Sequence, residues 1–317
     1  MKKLLFFTIS LMFLGSMTLN AQKQKPHIVF VIGDEEYRSE ESMPMLGQIL
    51  KRELGAKVSL CFPLDEKGFI NPNINNNIDG LEALKSADLM VIFTRWRELP
   101  KEQAKLITDY VESGKPVVGF RTSTHAFLYE KDSSMASLNN EWPAKVFGQQ
   151  WIVHHGHFDD GAKPLTSVYP KENSKTPILR GVNSFNAYSW LYHVDGGDWK
   201  LNGDCFTFLE GKSLKSKHEM EGNLTKYPII QPVAWTKSYK GKSGKSSRVF
   251  FTTLGHPYDF KEEAMRKLAL NGIYWALGLE NKIPKNGVNT TIVGKYEPNN
   301  SGFGEKFKLN VKPMIIR

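Results

Sequence analysis

The chain has 317 residues, 12% of them aromatic, and a formal charge of +9 that falls to +7 once Lys2 and Lys3 at its N-terminus are set aside. Its two cysteines, Cys61 and Cys205, show no C-x-x-C spacing, which excludes a structural zinc site built of cysteines. The length suits one large α/β domain or a domain with insertions, and no internal repeat is visible.

The chain begins MKKLLFFTISLMFLGSMTLNAQ, in which a positive start at Lys2 and Lys3 precedes an apolar run from Leu4 to Leu14. Leu19-Asn20-Ala21 offers a cleavage site, so residues 1–21 are predicted to be a secretory signal peptide, too short and wrongly flanked for a spanning helix. No cysteine follows the apolar core, which argues against a lipoprotein anchor. The mature chain is expected to be soluble and exported, periplasmic or secreted, without a membrane association after cleavage and without a nucleic-acid partner. An oxidising compartment permits one Cys61–Cys205 disulfide, while two separate small apolar residues fit the sequence equally well.

HIVFVI (27–32) is a strand run ending at Gly33. MPMLGQILKREL (43–54) has helical spacing and stops at Gly55; KVSLC (57–61) is a second strand, followed by a polar Asn/Pro loop over 63–78. A short helix near 79–86 leads to the strand DLMVIFT (88–94). PKEQAKLITDYVES (100–113) opens with proline at a first helical position and ends before Gly114, and PVVGFR (116–121) is the next strand. Strands alternating with helices argue for a parallel sheet covered on both faces. The second half is less regular. Strands are predicted over 151–155, 164–169, 205–209, 229–236 and 248–254, and an amphipathic helix over 262–277 closes a domain spanning 26–280. The basic run 237–248 (KSYKGKSGKSSR) fits a solvated hairpin loop, with an anionic partner as the other possibility. Residues 281–317 are predicted as a C-terminal extension, lying along the domain or forming a flexible arm.

In open α/β sheets, ligands bind beyond the carboxyl ends of the strands. That rule selects four loops, which contain Asp34, Glu35, Glu36, Tyr37 and Arg38; Arg95, Trp96 and Arg97; Ser123 and His125; and His256. The arginines can pair with the loop carboxylates or grip a carboxylate, a phosphate or sugar hydroxyls. Trp96 can pack, or carry a sugar ring. His125 and His256 suit proton transfer near neutral pH. Ser123 lacks the G-x-S-x-G context of a nucleophile elbow.

WIVHHGHFDD (151–160) adds three histidines within four positions. If the stretch is extended, His155 and His157 share a face and His154 points away. His155, His157 and His193, or Asp195, therefore form the alternative of a divalent-metal site in a metal-dependent hydrolase.

Three segments, GKPVVGFRTSTHAF (114–127), the Trp142 to His157 stretch with FGQQWIVHHGHF, and PVAWTKSYKGKSGKSSRVFFTTLGHPYDF (232–260), resemble the ThuA-like (trehalose-utilisation) family of the class I glutamine amidotransferase-like superfamily. The tail VGKYEPNNSGFGEKF (293–307) resembles family extensions, so the likeness covers most of residues 26–307. The resemblance implies a flavodoxin-like three-layer α/β/α sandwich with a mostly parallel sheet and extra strands in the second half. It places Arg121 where the superfamily's amidotransferases carry a nucleophilic cysteine, and His256-Pro257 where they carry the catalytic histidine. Arginine cannot act as that nucleophile, so amidotransferase activity is not expected. The resulting expectation is a carbohydrate enzyme of hydrolase or isomerase type that needs no cofactor. His125, His256 and Arg121 carry the chemistry. A small sugar or keto-sugar is held by Asp34, Glu35, Tyr37, Arg38, Arg95, Trp96, Arg97, Ser123, His155, His157, His193 and Asp195. A non-catalytic module that binds a sugar or a partner is the remaining alternative.

Overall fold

The computed structural model describes residues 25–158, 161–196 and 198–317. The predicted signal peptide and Asp159 and Asp160 lie outside them. Nine strands form one sheet in the order β2-β1-β3-β4-β9-β8-β7-β5-β6. The parallel half comprises β1 (His27–Gly33), β2 (Lys57–Cys61), β3 (Leu89–Thr94), β4 (Val117–Phe120) and β9 (Ser246–Thr252). Taken alone it has the 2-1-3-4-5 order of flavodoxin-like sheets. An antiparallel extension of β8 (Ile230–Lys240), β7 (Phe206–Ser213), β5 (Thr166–Pro170) and β6 (Phe185–Ala187) continues from β9. The fold is thus an α/β sandwich, parallel where the alternating first half predicts it and extended by the extra strands expected of the second half.

The alternation within β1 shows why both faces need cover. Ile28, Phe30 and Ile32 belong to one core with α1 (Ser39–Leu54) and the C-terminal helix, while Val29 and Val31 belong to the other with α2 (Lys101–Glu112) and α3 (Glu141–Phe147). A strand buried on both sides reads as a continuous apolar run, which is how 27–32 and 88–94 read. α1 stops where Gly55 takes a left-handed φ of 64° and returns its N–H to Lys51 O. Pro100 sits one position earlier than expected, capping α2 rather than opening it. The remaining helices are the single turn α4 (Lys217–Met220) and α5 (Glu263–Ala276).

Two features depart from expectation. Residues 151–155 form no strand; the segment makes one isolated antiparallel bridge, His154 to Tyr192, and turns at Gly156, where φ is 125°. Its aromatic residues pack into a site wall instead of entering the sheet. The basic run is the β8–β9 hairpin, but Lys237 within it is buried, its Nζ donating to Lys145 O at 2.8 Å and Ser238 O at 3.0 Å. Cys61 and Cys205 are both free. Past a turn at Glu280–Lys282 the chain runs back along the domain without helix or strand. It is tied down by contacts such as Ile70 N–H to Val311 O, 2.9 Å.

Candidate functional site

The order 2-1-3 reverses direction between β1 and β3, so the loops leaving those two strands diverge and open a crevice at their carboxyl ends. Three adjacent parallel strands leave the sheet through a non-glycine residue in the left-handed region: Arg38 (φ 54°) after β1, Trp96 (φ 47°) after β3 and Arg121 (φ 38°) after β4. Such conformations cost on the order of 1–3 kcal/mol each and persist only where the surroundings enforce them. Here the loops are stitched together. Arg95 N donates to Gly33 O at 3.0 Å, Trp96 N to His125 O at 2.9 Å and Arg97 N to Ala126 O at 2.8 Å. Asp34 braces the first turn by accepting Glu36 N at 2.7 Å and Tyr37 N at 2.6 Å, and it also accepts the Thr122 hydroxyl.

Above these loops lies a cavity of about 190 Å³. Trp96, Trp151, Trp190, Tyr37, Tyr192 and Phe303 supply aromatic walls, and Glu36, Arg95, His125, His154 and His157 supply polar groups. A larger groove of about 420 Å³ runs between α2 and α3, but its charged rim is taken up by surface pairs such as Lys145–Glu141, and it holds no histidine or arginine.

Glu36 is the ionisable group of most consequence. It is buried, and desolvation pushes its carboxyl up to about 7, with Arg95 opposing that rise from 3.1 Å. Two of the histidines around it, His125 and His154, are held neutral. His125 falls well below its ordinary range through burial, with Arg95 and Arg121 adding repulsion. The Thr124 hydroxyl donates to Arg121 O at 3.3 Å, so its oxygen accepts from His125 Nδ1 at 3.0 Å, leaving Nε2 as the basic nitrogen. His154, driven down to about 2 mainly by burial, accepts Gly156 N–H on Nδ1 at 2.9 Å. Its Nε2 therefore carries the proton and donates to His157 Nε2 at 3.2 Å. Two groups with pKa values driven apart in one cavity are the ordinary signature of acid–base division of labour.

Tyr37, Arg95, Trp96, His125 and His157 of the expected site residues line this cavity. Others stand one layer behind it. Glu35 pairs with Arg95 and, at 2.6 Å, with Arg97; Arg97 spends its other donors on Arg95 O, Pro72 O and Ile74 O. Arg38 donates to Gly302 O at 2.8 Å, and the Ser123 hydroxyl donates to Ile92 O at 3.0 Å. Arg121 is wholly buried beneath the floor, donating to Trp190 O at 3.2 Å, Thr253 O at 2.9 Å and Tyr37 Oη at 2.9 Å, with the Tyr37 and Tyr192 rings 4.2 and 4.5 Å from its guanidinium carbon. Its Nε has no hydrogen-bond partner.

His256 is also sealed in. Its Nδ1 accepts Tyr258 N–H at 3.1 Å, so Nε2 is the protonated nitrogen and donates to Ser301 Oγ at 2.9 Å. Burial lowers it to about 3.

The histidine run divides differently from a strand. The turn at Gly156 sends His154 and His157 to the cavity, and His155 inward to Ser216 Oγ at 2.8 Å and against His218 at 5.3 Å between ring centres. His193 lies in that second cluster, accepting on Nδ1 from Gln231 Nε2 at 3.4 Å, whereas Asp195 is exposed. The donors of the expected metal alternative are therefore split between two places. Among the described residues no group of three or more histidine, cysteine or acidic side chains is arranged to hold a metal ion.

Sequence reasoning passed over Glu36, His154, Trp151, Trp190, Tyr192 and Phe303 as site residues. Glu36 lay in a selected loop beside two other acids, Asp34 and Glu35, with nothing to separate them. Trp190 and Tyr192 carry a signal in their alternation with Leu191 and His193, since the odd and even residues of that stretch face opposite ways. Phe303 had none.

A doubly wound α/β fold with an aromatic crevice at its switch point belongs to the flavodoxin-like class. The family model described as ThuA, trehalose utilisation, matches residues 29–276, and the chain belongs to this family. Similar solved structures include a ThuA-like protein from Parabacteroides merdae ATCC 43184, with 17% identity, a TM-score of 0.52, and coverage of 90% of this chain and 100% of that one. Another, from Bacteroides uniformis ATCC 8492, has 16% identity, a TM-score of 0.50, and coverage of 80% and 92%. At these identities the likeness concerns the fold. No curated protein matches the chain.

Proposed function

We propose that this ThuA-family chain is an exported enzyme that moves a proton on a single sugar ring or keto-sugar, with Glu36 as the acid–base group. The observation that carries it is one carboxyl near neutrality, beside Arg95, inside an aromatic-walled cavity where burial keeps His125 and His154 neutral. Pyranose rings have apolar C–H faces and a hydroxyl rim, which matches aromatic walls combined with a few polar groups. At about 190 Å³ the cavity is smaller than the roughly 300–1,000 Å³ of drug-sized sites, which favours one ring over two.

For a keto-sugar, the Glu36 carboxylate takes the proton from the carbon next to the carbonyl. The electron pair of that C–H bond moves onto the carbonyl oxygen, where Arg95 stabilises it. Glu36 then gives the proton to the former carbonyl carbon while the proton of the adjacent hydroxyl passes to the former carbonyl oxygen, so that the carbonyl moves one carbon along. This is isomerase-type chemistry; release of a group attached one carbon further on would make it a cleavage. Arg121 contributes a buried positive charge below the floor. The N-terminal pattern of Lys2, Lys3 and the apolar run supports export.

The test is turnover on keto-glycosides and their parent disaccharides, with product analysis. Glu36→Gln is expected to lower kcat/KM by roughly 10²–10⁴-fold. Full activity in that variant would remove Glu36 from the mechanism. A non-catalytic sugar-binding module is the second reading, favoured by the engagement of Arg121 and His256 within the fold. Ligand-induced stabilisation without product would support it.

A further inference from the structure

The cavity's outer wall comes from the C-terminal extension, beyond residues 29–276 matched by the family model. Phe303 is 52% exposed, yet it borders the cavity and holds its ring 4.9 Å from the Arg95 guanidinium carbon. Trp96 lies on Arg95 at 3.6 Å, so the guanidinium has an aromatic ring from a core loop and another from the extension. A cation held between two rings keeps its charge while losing rotational freedom.

The chain is fastened on both sides of Phe303, with Asn73 Nδ2 donating to Gly304 O at 3.1 Å after it and three contacts before it. Gly302 N–H donates to Glu36 O at 2.8 Å, Gly302 O accepts Arg38 Nη2 at 2.8 Å, and Ser301 Oγ accepts His256 Nε2 at 2.9 Å. Gly302 has a φ of 130°, a conformation that side-chain-bearing residues rarely adopt, so the turn that presents Phe303 favours glycine. Buried Phe307 anchors the far end.

We propose that residues 299–307 are a strap belonging to the site. Phe303 is the wall that sets what enters and orients Arg95, and His256 is the positioning residue that holds the strap. On this assignment the strand-end histidine acts through Ser301 on the entrance and not on the reacting atoms. Both of its ring nitrogens are used by the fold, and the Tyr37 ring, 6.2 Å away, belongs to the cavity that His256 does not reach.

The test needs no sugar, so it stands apart from the carbohydrate reading. In the full chain, deuterium exchange of the 299–307 amides is compared among wild type, Ser301→Ala and His256→Asn. Loss of one such hydrogen bond is expected to speed strap exchange roughly three- to tenfold while β1 amides stay unchanged. Ser301→Ala keeps the test valid if His256→Asn does not fold. In parallel, Phe303→Ala should raise acrylamide quenching of the cavity tryptophans above the wild-type constant. Unchanged strap exchange in Ser301→Ala would overturn the role of His256. Unchanged quenching in Phe303→Ala would overturn the role of Phe303.

Discussion

Glu36 can be examined through stability before any substrate is known. Its carboxyl is raised from 4.5 to about 7, chiefly by burial. Between those two values the folded chain holds a proton there that the unfolded chain has released. This group's contribution is therefore complete below pH 4.5 and is lost as pH rises through 7. At about 1.4 kcal/mol per unit, the swing between pH 4 and pH 8 is about 3 kcal/mol. Glu36→Gln keeps the shape of the neutral acid and cannot ionise. Its stability relative to wild type should therefore climb by that amount over the same range, whatever the constant cost of the altered contact with Arg95. Urea unfolding midpoints of both proteins at pH 4, 6 and 8 measure the difference, and titrations of every other group cancel in it. A difference flat to within about 0.5 kcal/mol, or one that falls with pH, would refute a neutral-range Glu36 and with it the acid–base proposal.

Acid should destabilise the fold ahead of the carboxylates. His155 and His256 are lowered to about 4 and about 3, mainly by burial. Each supplies stability that is complete above about pH 6.5 and is lost as pH falls toward its folded value, at about 1.4 kcal/mol per pH unit per group; circular dichroism of urea unfolding from pH 7 to 4 reads that slope. Gly119→Ala places a Cβ 2.7 Å from Phe251 and 2.8 Å from Phe147 in the centre of the sheet, so a loss of about 1–3 kcal/mol is expected in the same assay. Trp190→Ala removes a buried wall that touches Tyr37, His154 and His157, at a cost of about 3–5 kcal/mol and with loss of sugar binding by calorimetry.

The parallel core was legible because its strands are buried on both faces. HIVFVI and DLMVIFT admit little else once helices flank them. The position of the crevice was equally legible, since the strand-end rule depends on topology and not on which side chain faces where. What the side chains do was less so. Extended alternation put His155 and His157 on one face, but the chain turns at Gly156, where φ is 125°, and the pairing becomes His154 with His157. Burial was the other hidden quantity. Glu35 and Glu36 are adjacent and chemically identical, and burial raises both, yet Glu35 pairs with two arginines behind the cavity while Glu36 pairs with Arg95 alone and faces it.

Arg121 sets the electrostatics beneath the crevice. It occupies the strained turn after β4, φ 38°, in the place where the resemblance puts a nucleophile, but its side chain runs under the floor instead of into the cavity. A buried guanidinium without a carboxylate partner is tolerable here because two carbonyls, a phenol and aromatic faces solvate it. Once fixed, that charge disfavours a second cation nearby, and it is among the causes holding His125, His154 and His256 neutral. It also counts among the groups that lower Glu36, behind Arg95. A buried cation in this turn thus biases the protonation of the acids and bases around it, at the switch point between β1 and β3.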